Sequence, residues 1–213
     1  MKNNNKKEIV IPTLLCLLPI LAGLLLYDRL PETVATHFGA NGEANGWSSR
    51  AFAVFGIPAF MAGINLLVWF ALHTDPKKEN MNPALRALAI WTVPALSVLL
   101  SGMTLGNALG YAMHVETAAP LLAGLLFIVI GNYLPKTKQS YTMGIRLPWT
   151  LASEENWNRT HRIAGFLWVF GGIAITLLTL LRIWSFWLPF ALILILLVLV
   201  PSVYSFLLYK KGI

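Results

Sequence analysis

The chain is short of charge. Of its 213 residues only 12% are Asp, Glu, Lys or Arg, while 57% are hydrophobic; soluble domains carry about 25% charged residues. A chain so poor in charge, with apolar runs of about 20 residues, has lipid rather than water as the solvent for most of its surface. Cysteine is nearly absent too. Cys16 is the only one, which excludes an intramolecular disulfide and any multi-cysteine metal site, and its apolar context LLCLLP marks a small buried side chain. No H-E-x-x-H, G-x-S-x-G or Walker A pattern occurs, so the common zinc-protease, serine-hydrolase and nucleotide signatures are missing. No ionisable side chain stands in the middle of an apolar run. Such residues mark ion paths and proton relays, so their absence speaks against a proton-coupled transporter.

What the chain does have is six apolar segments, at 9–27, 51–72, 87–110, 117–134, 163–181 and 186–208. Each has about the 17–25 residues that a helix needs to cross hydrocarbon, and none alternates as a barrel strand would. The expectation is an all-α polytopic membrane protein with six transmembrane helices, the last two joined tightly through Arg182–Ser185. The N-terminal MKNNNKKE and the run after it imitate a signal peptide. The run is too long, however, and no A-x-A site follows before Asp28, so it reads as a retained first span.

Lys and Arg are shared unevenly. Lys2, Lys6, Lys7, Lys77, Lys78, Arg86, Lys136, Lys138, Arg146, Arg159, Arg162, Lys210 and Lys211 fall on one side of the expected membrane; Arg29, Arg50 and Arg182 fall on the other. The positive-inside rule puts the first side, with both termini, in the cytoplasm. The net charge of +7 thus serves topology and anionic lipid. Direct nucleic-acid binding is not expected, since no soluble module carries a basic patch interleaved with aromatics.

In that orientation residues 28–50 face outward and residues 135–162 face the cytoplasm. In the outer loop, Asn41-Gly42 and Asn45-Gly46 are turn signals. They predict a compact lobe that Phe38 and Trp47 can anchor at headgroup depth. His37 is either a ligand or pH-sensitive contact or a plain polar surface residue. No metal or cofactor is expected, because His37 and His114 are outward while His73 and His161 are inward. Gly102, Gly106 and Gly110 recur at i, i+4 and i+8, a small-residue face for helix packing. Asn65, Asn107 and Asn132 read as interhelical hydrogen-bonding groups, and Pro19, Pro58, Pro94 and Pro201 as kinks.

In the inner segment Ser153 caps a helix whose first turn holds Glu154 and Glu155. Glu155 and Arg159 stand four apart in the favourable order, and Trp157 and His161 share a face. Gly144 and Pro148 shape the stretch upstream, from which Arg146 and Trp149 project, with Thr142 and Thr150 as polar contacts. Two readings stay open: a collar that binds anionic lipid, and a protein-docking surface. A lipid or small-solute transporter or enzyme using Glu154, Glu155 and His161 ranks lower, because no nucleophile or metal constellation accompanies them. A structural membrane protein is the plainest alternative.

Two stretches also carry a resemblance. NYLPKTKQSYTMGIRLPWTLASEENWNRTHR resembles the signature of the bacterial Sdp immunity family through Gly131, Asn132, Tyr133, Leu134, Pro135, Gly144, Ile145, Arg146, Pro148, Trp149, Thr150, Glu155, Trp157, Thr160 and His161. LPETVATHFGANGEANGWSSR resembles the small membrane domain that usually precedes it, through Leu30, Pro31, His37, Phe38, Gly42, Asn45 and Trp47. Ser140, Leu147 and Ala35 stand where the family often has Asn, Thr and Pro. The resemblance implies a non-enzymatic protein of the bacterial plasma membrane, with a two-span domain at 1–75 and a four-span domain at 76–213. It implies immunity against a secreted, membrane-active killing peptide. By association it implies signalling in which a small winged-helix transcriptional repressor is held at the membrane. Carried to this chain, Pro31, His37, Phe38, Gly42, Asn45 and Trp47 form the expected outer ligand surface. Gly144, Arg146, Pro148, Trp149, Thr150, Glu155, Trp157, Thr160 and His161 form the expected inner docking surface. Neither the toxin nor the oligomeric state follows from it.

Overall fold

The computed structural model describes residues 2–39, 42–182 and 187–213. Asn41 of the first turn signal and residues 183–185 of the link between the last two spans lie outside them. Among the described residues six helical segments are long and apolar enough to cross a membrane: Lys7–Arg29, Phe52–Thr74, Pro83–Ala108, Val115–Lys136, Glu154–Leu180 and Leu188–Lys210. The chain divides into two compact units, residues 1–73 with 87–116 and residues 74–86 with 117–213.

In the first unit, helices α1 (Lys2–Leu17) and α2 (Pro19–Leu26) make one span with a break between them. The cause is Pro19, which has no N–H to continue the ladder. Leu18 N instead bonds the Leu15 carbonyl at 3.2 Å, and the buried Ser97 hydroxyl donates to the Cys16 carbonyl at 2.7 Å. Strands β1 (Thr33–Phe38) and β2 (Ala44–Ser49) follow as an antiparallel hairpin. A π-helical turn, Phe52–Gly56, then leads into α3 (Ile57–Thr74). Gly56 suits that turn, since a Cβ there would lie 2.5 Å from the Phe52 ring. The fourth partner is α4 (Pro83–Ala108), whose residues from Ala87 onward belong to this unit. Asn65 is buried and ties three helices, donating to the Ile90 carbonyl at 3.0 Å and accepting from Thr13 Oγ1 at 3.2 Å. Around it Cys16, Met61, Ala62 and Val93 form an apolar cluster.

The glycine stripe of α4 does not seat a helix among the described residues. A Cβ at Gly102 would meet nothing within 4 Å, and one at Gly106 would meet the Met113 side chain. Gly110 lies beyond α4 with φ 86°, in the left-handed conformation that stops a helix.

Close helix packing occurs instead in the second unit, which contains α5 (Val115–Tyr133), α6 (Pro148–Ala152), α7 (Glu154–Leu180) and α8 (Trp187–Lys210). Gly124 faces Gly172 and Gly131 faces Gly165 on antiparallel helices. A Cβ at Gly172 would lie 2.6 Å from the Gly124 carbonyl oxygen, and one at Gly131 would lie 2.7 Å from Val169 N. Absent side chains let the two backbones touch, the packing mode of small residues in membranes. Gly131→Leu and Gly172→Leu are each expected to cost about 1–3 kcal/mol or more by overpacking. Gly102→Leu is expected to be neutral. Thermal unfolding of the purified chains in one detergent checks this contrast.

Candidate functional site

Two regions carry polar chemistry, and each was built from its own residues. In the first unit the hairpin pairs Thr33 with Ser49, Val34 with Ser48 and Ala35 with Trp47, then His37 with Gly46 and Phe38 with Ala44. The register slips between Ala35 and His37 and again before Phe38. The two slips cancel, so the two-residue alternation of the strands places His37 and Asn45 on the same outward face. His37 Nδ1 is hydrogen-bonded to Asn45 Oδ1. A Cβ at Gly46 would lie 2.9 Å from His37 Cβ, so glycine leaves room for the His37 side chain beside β2. The outward face shows Thr33, His37, Asn45, Trp47 and Ser49, while Val34 is buried beneath. Trp47 is 61% exposed and has only Ala35 across from it, so the indole stands clear. Arg50 fixes the lobe to its stem: its guanidinium donates to the Tyr27 and Leu30 carbonyls at 3.0 and 3.2 Å and covers the Tyr27 ring at 4.4 Å. Gly42 has φ 80° and packs on Glu116, which pairs with His114 at 3.0 Å.

In the second unit the 135–162 segment folds around buried polar groups. Asp75 turns the chain just after α3. Its carboxylate accepts from Lys77 N at 2.7 Å, Ser140 Oγ at 2.7 Å and Thr142 N at 2.8 Å. Burial alone raises its pKa; these donors outweigh it and hold the carboxyl below its ordinary value of 3.8. Gln139 accepts from Lys77 Nζ at 2.9 Å and donates to the Thr150 carbonyl at 2.8 Å, and its own carbonyl takes Asn80 Nδ2 at 3.0 Å. Thr150 Oγ1 accepts from Leu147 N at 2.8 Å, half of a capping box for α6. Leu147 cannot return the bond, as a Thr in its place would.

Trp157 and His161 are fully buried and stacked, with ring centroids 4.0 Å apart. Trp157 Nε1 donates to the Thr137 carbonyl at 2.9 Å. His161 Nε2 accepts from Ile145 N at 2.9 Å, so its proton sits on Nδ1, which donates to the Trp157 carbonyl at 2.8 Å. Both ring nitrogens are used and none is open to a substrate. Gly144 makes this possible: its φ is 99°, and a Cβ would lie 2.5 Å from His161 Nε2 and 2.9 Å from the indole. Asn156 donates to the Ser205 and Ile213 carbonyls at 3.0 and 3.1 Å and accepts from Thr160 and Ser205 hydroxyls. Ser153 caps α7 by accepting from Asn156 N, and Glu155 pairs with Arg159.

The expected outer residues therefore cluster in one lobe, with Pro31, His37, Asn45 and Trp47 exposed and Phe38 and Gly42 half-buried. The expected inner set splits. Thr150, Trp157, Thr160 and His161 are interior and cannot meet a partner, because each is spent on the segment's own hydrogen bonds and packing. Trp149 is half-buried against Phe206 and Tyr209 of α8. Gly144, Arg146, Pro148 and Glu155 are exposed. Sequence reasoning passed over Asp75, Gln139, Asn156 and Arg50. Asp75 did leave a signal, as an acid directly after a span in a D-P pair. Asn156 left none, since its partners lie 49 and 57 residues away. Among the described residues no group of three or more His, Cys, Asp or Glu is placed to hold a metal ion.

Asp75→Asn is expected to cost about 1–3 kcal/mol at neutral pH, the loss of charge-assisted hydrogen bonds. A depressed pKa gives stability that is complete above the unfolded value and lost as pH falls through the folded one. The gap between variant and wild type should therefore begin to narrow as pH falls below 3.8 and close below the lower folded value; a gap that stays constant through that whole fall would assign the loss to shape rather than charge. Trp157→Ala is expected to cost about 3–5 kcal/mol, read as a lower unfolding temperature rather than as a docking defect.

The pattern of the SdpI/YfhL protein family matches residues 136–205, and a domain of unknown function (DUF1648) matches residues 14–62. Immunity protein SdpI of Bacillus subtilis (strain 168) is 31% identical over 207 residues, 97% of each chain. An uncharacterized protein of Archaeoglobus fulgidus is 34% identical over 128 residues, covering 50% of this chain and 68% of its own. No solved structure matches. A likeness that runs the length of both chains, with the family's pattern falling on the buried network just described, shows that this chain belongs to the SdpI/YfhL protein family.

Proposed function

We propose that the chain protects a bacterial cell from a secreted, membrane-active killing peptide, which it meets on the hairpin lobe. The near full-length likeness to Immunity protein SdpI carries this reading. The lobe supports it: an exposed indole beside a hydrogen-bonded His37–Asn45 pair suits an amphipathic peptide, the ring covering apolar side chains and the pair meeting polar ones. The uneven Lys and Arg count supports a hairpin outside and both termini in the cytoplasm.

In this reading the 135–162 segment is a self-bonded frame. A small winged-helix repressor would have only its outer positions to dock on, Arg146, Pro148 and Glu155 among them. Arg146 donates to the Tyr141 carbonyl at 2.7 Å, which shapes that rim. A peptide outside could release or recruit a repressor only by binding two conformations of the chain unequally.

The test is survival of a sensitive bacterium expressing the chain under killing-peptide challenge. Trp47→Ala is expected to lower the tolerated peptide dose by about tenfold, as loss of an aromatic hot spot does. Arg146→Ala is expected to keep protection. Full protection by the Trp47→Ala chain at unchanged membrane abundance overturns the reading. So does labelling of a Glu43→Cys chain from the cytoplasmic side alone.

A further inference from the structure

The chain as a whole carries a net charge of +7, yet its hairpin lobe is acidic. Between Leu30 and Ser49 the sequence holds Glu32, His37 and Glu43 and no Lys or Arg. Just below, Asp28 and Arg29 are both exposed and offset one another. Arg50 adds no cation to the outward face, because its guanidinium is turned to the Tyr27 and Leu30 carbonyls and lies on the Tyr27 ring. Glu32, whose carbonyl accepts from Arg50 N at 2.9 Å, stands exposed at the stem of the hairpin. Glu43, whose carbonyl accepts from Gly39 N at 2.8 Å, stands exposed at its tip. From there Glu43, Asn45, Trp47 and Ser49 are exposed at every second position. The tip carboxylate and the indole therefore share the outward face, about 13 Å apart at roughly 3.3 Å per residue.

We infer that the peptide this lobe meets is basic, with a Lys or Arg side chain laid over the Trp47 indole and a second cation drawn to Glu43. This rests on the reading of the lobe as a peptide receptor and names the class of peptide. The indole is the first reason. Its face is the best aromatic surface for a cation, and Trp47 is 61% exposed with only Ala35 across from it. The apolar stem of a Lys or Arg covers such a ring while the charged head stays in water. Charge is the second reason. Carboxylates on the lobe speed encounter with a cationic partner and turn away partners of their own sign. Two other occupants are disfavoured by that sign. Anionic lipid headgroups find no Lys or Arg on the lobe and meet its carboxylates instead. A second copy docking lobe to lobe would set Glu32 and Glu43 against their own counterparts. The chemistry of killing is the third reason. An amphipathic peptide holds an anionic bilayer through Lys and Arg on its polar face, and those same charges suit this lobe.

The test holds the full-length chain in phosphatidylcholine nanodiscs at neutral pH, with empty nanodiscs as background. The probes are a synthetic amphipathic peptide of Lys and Leu and its counterpart with Glu for every Lys; titration calorimetry reads each Kd. Glu43→Lys is expected to weaken binding of the Lys–Leu peptide by about tenfold, and Trp47→Ala by about fivefold. Neither is expected to weaken binding of the Glu–Leu peptide. Glu79→Lys, which reverses an exposed acid of the second unit, is expected to leave Lys–Leu binding unchanged. Equal Lys–Leu binding by the wild-type, Glu43→Lys and Trp47→Ala chains overturns the inference. So does an equal weakening of both peptides, which assigns the lobe to apolar contact alone. If the Glu43→Lys chain does not fold, unchanged Lys–Leu binding by a Glu32→Lys chain overturns it. Survival under killing-peptide challenge separates this inference from the reading beneath it. Protection lost with Trp47→Ala but kept with Glu43→Lys overturns the basic class and leaves the lobe a receptor. Protection kept with Trp47→Ala overturns both.

Discussion

Inside a bilayer no water is present to bond a polar group, so every N–H, carbonyl and hydroxyl that the chain places there needs a partner from the chain itself or from lipid. The structure is organised around meeting that demand. Where Pro19 opens the first span, Ser97 comes across from α4 to the Cys16 carbonyl. Where Asn65 enters the apolar core, Thr13 and the Ile90 carbonyl receive it. Each polar side chain that relieves one deficit also joins two or three helices, so the bonds that make these segments tolerable in lipid are the bonds that set their packing.

The same demand explains the richest stretch of the sequence. Between α5 and α6, residues 137–147 leave the apolar spans and run without regular structure. They do so with side chains as substitutes for a ladder: Asp75 and Gln139 serve the loop backbone, Trp157 and His161 take its carbonyls and amides, and Asn156 holds the last turns of α8. Direct contact of α5 with α7 at Gly124–Gly172 and Gly131–Gly165 brings these groups within bonding distance. A motif dense in Trp, Thr, His and Asn is thereby a folding device first. Of its signature residues, Trp157, Thr160 and His161 are interior, while Gly144, Arg146, Pro148 and Glu155 stand exposed on its outer rim.

The hairpin answers a different problem. It stands on a span end, where water supplies partners, and so it can spend its side chains outward. Arg50 takes up the carbonyls of the stem, and strand alternation sets His37 and Asn45 on the surface that bears Trp47. Arg50 braces the hairpin, and His37, Asn45 and Trp47 stay exposed on it.

What the sequence by itself determined was what depends on near neighbours or on bulk composition: six apolar helices, the Ser153 cap, the Glu155–Arg159 pair and the shared face of Trp157 and His161; the expected turn at Asn45-Gly46 lies instead inside β2, because pairing with β1 holds it extended. Residues three or four apart on a helix meet whatever the rest of the chain does, and an apolar run of sufficient length partitions into lipid by itself. Tertiary structure alone decided which glycines pack and which residues are reachable. Gly102, Gly106 and Gly110 have the better local spacing, yet Gly124, Gly131, Gly165 and Gly172 make the contact, because a close approach needs a matching gap on a helix some 34–48 residues away. Trp157 and His161 look like a presented face until Gly144, with its positive φ, lays Ile145 against the imidazole. Burial is a property of the partner surface, and a local pattern holds no record of that partner.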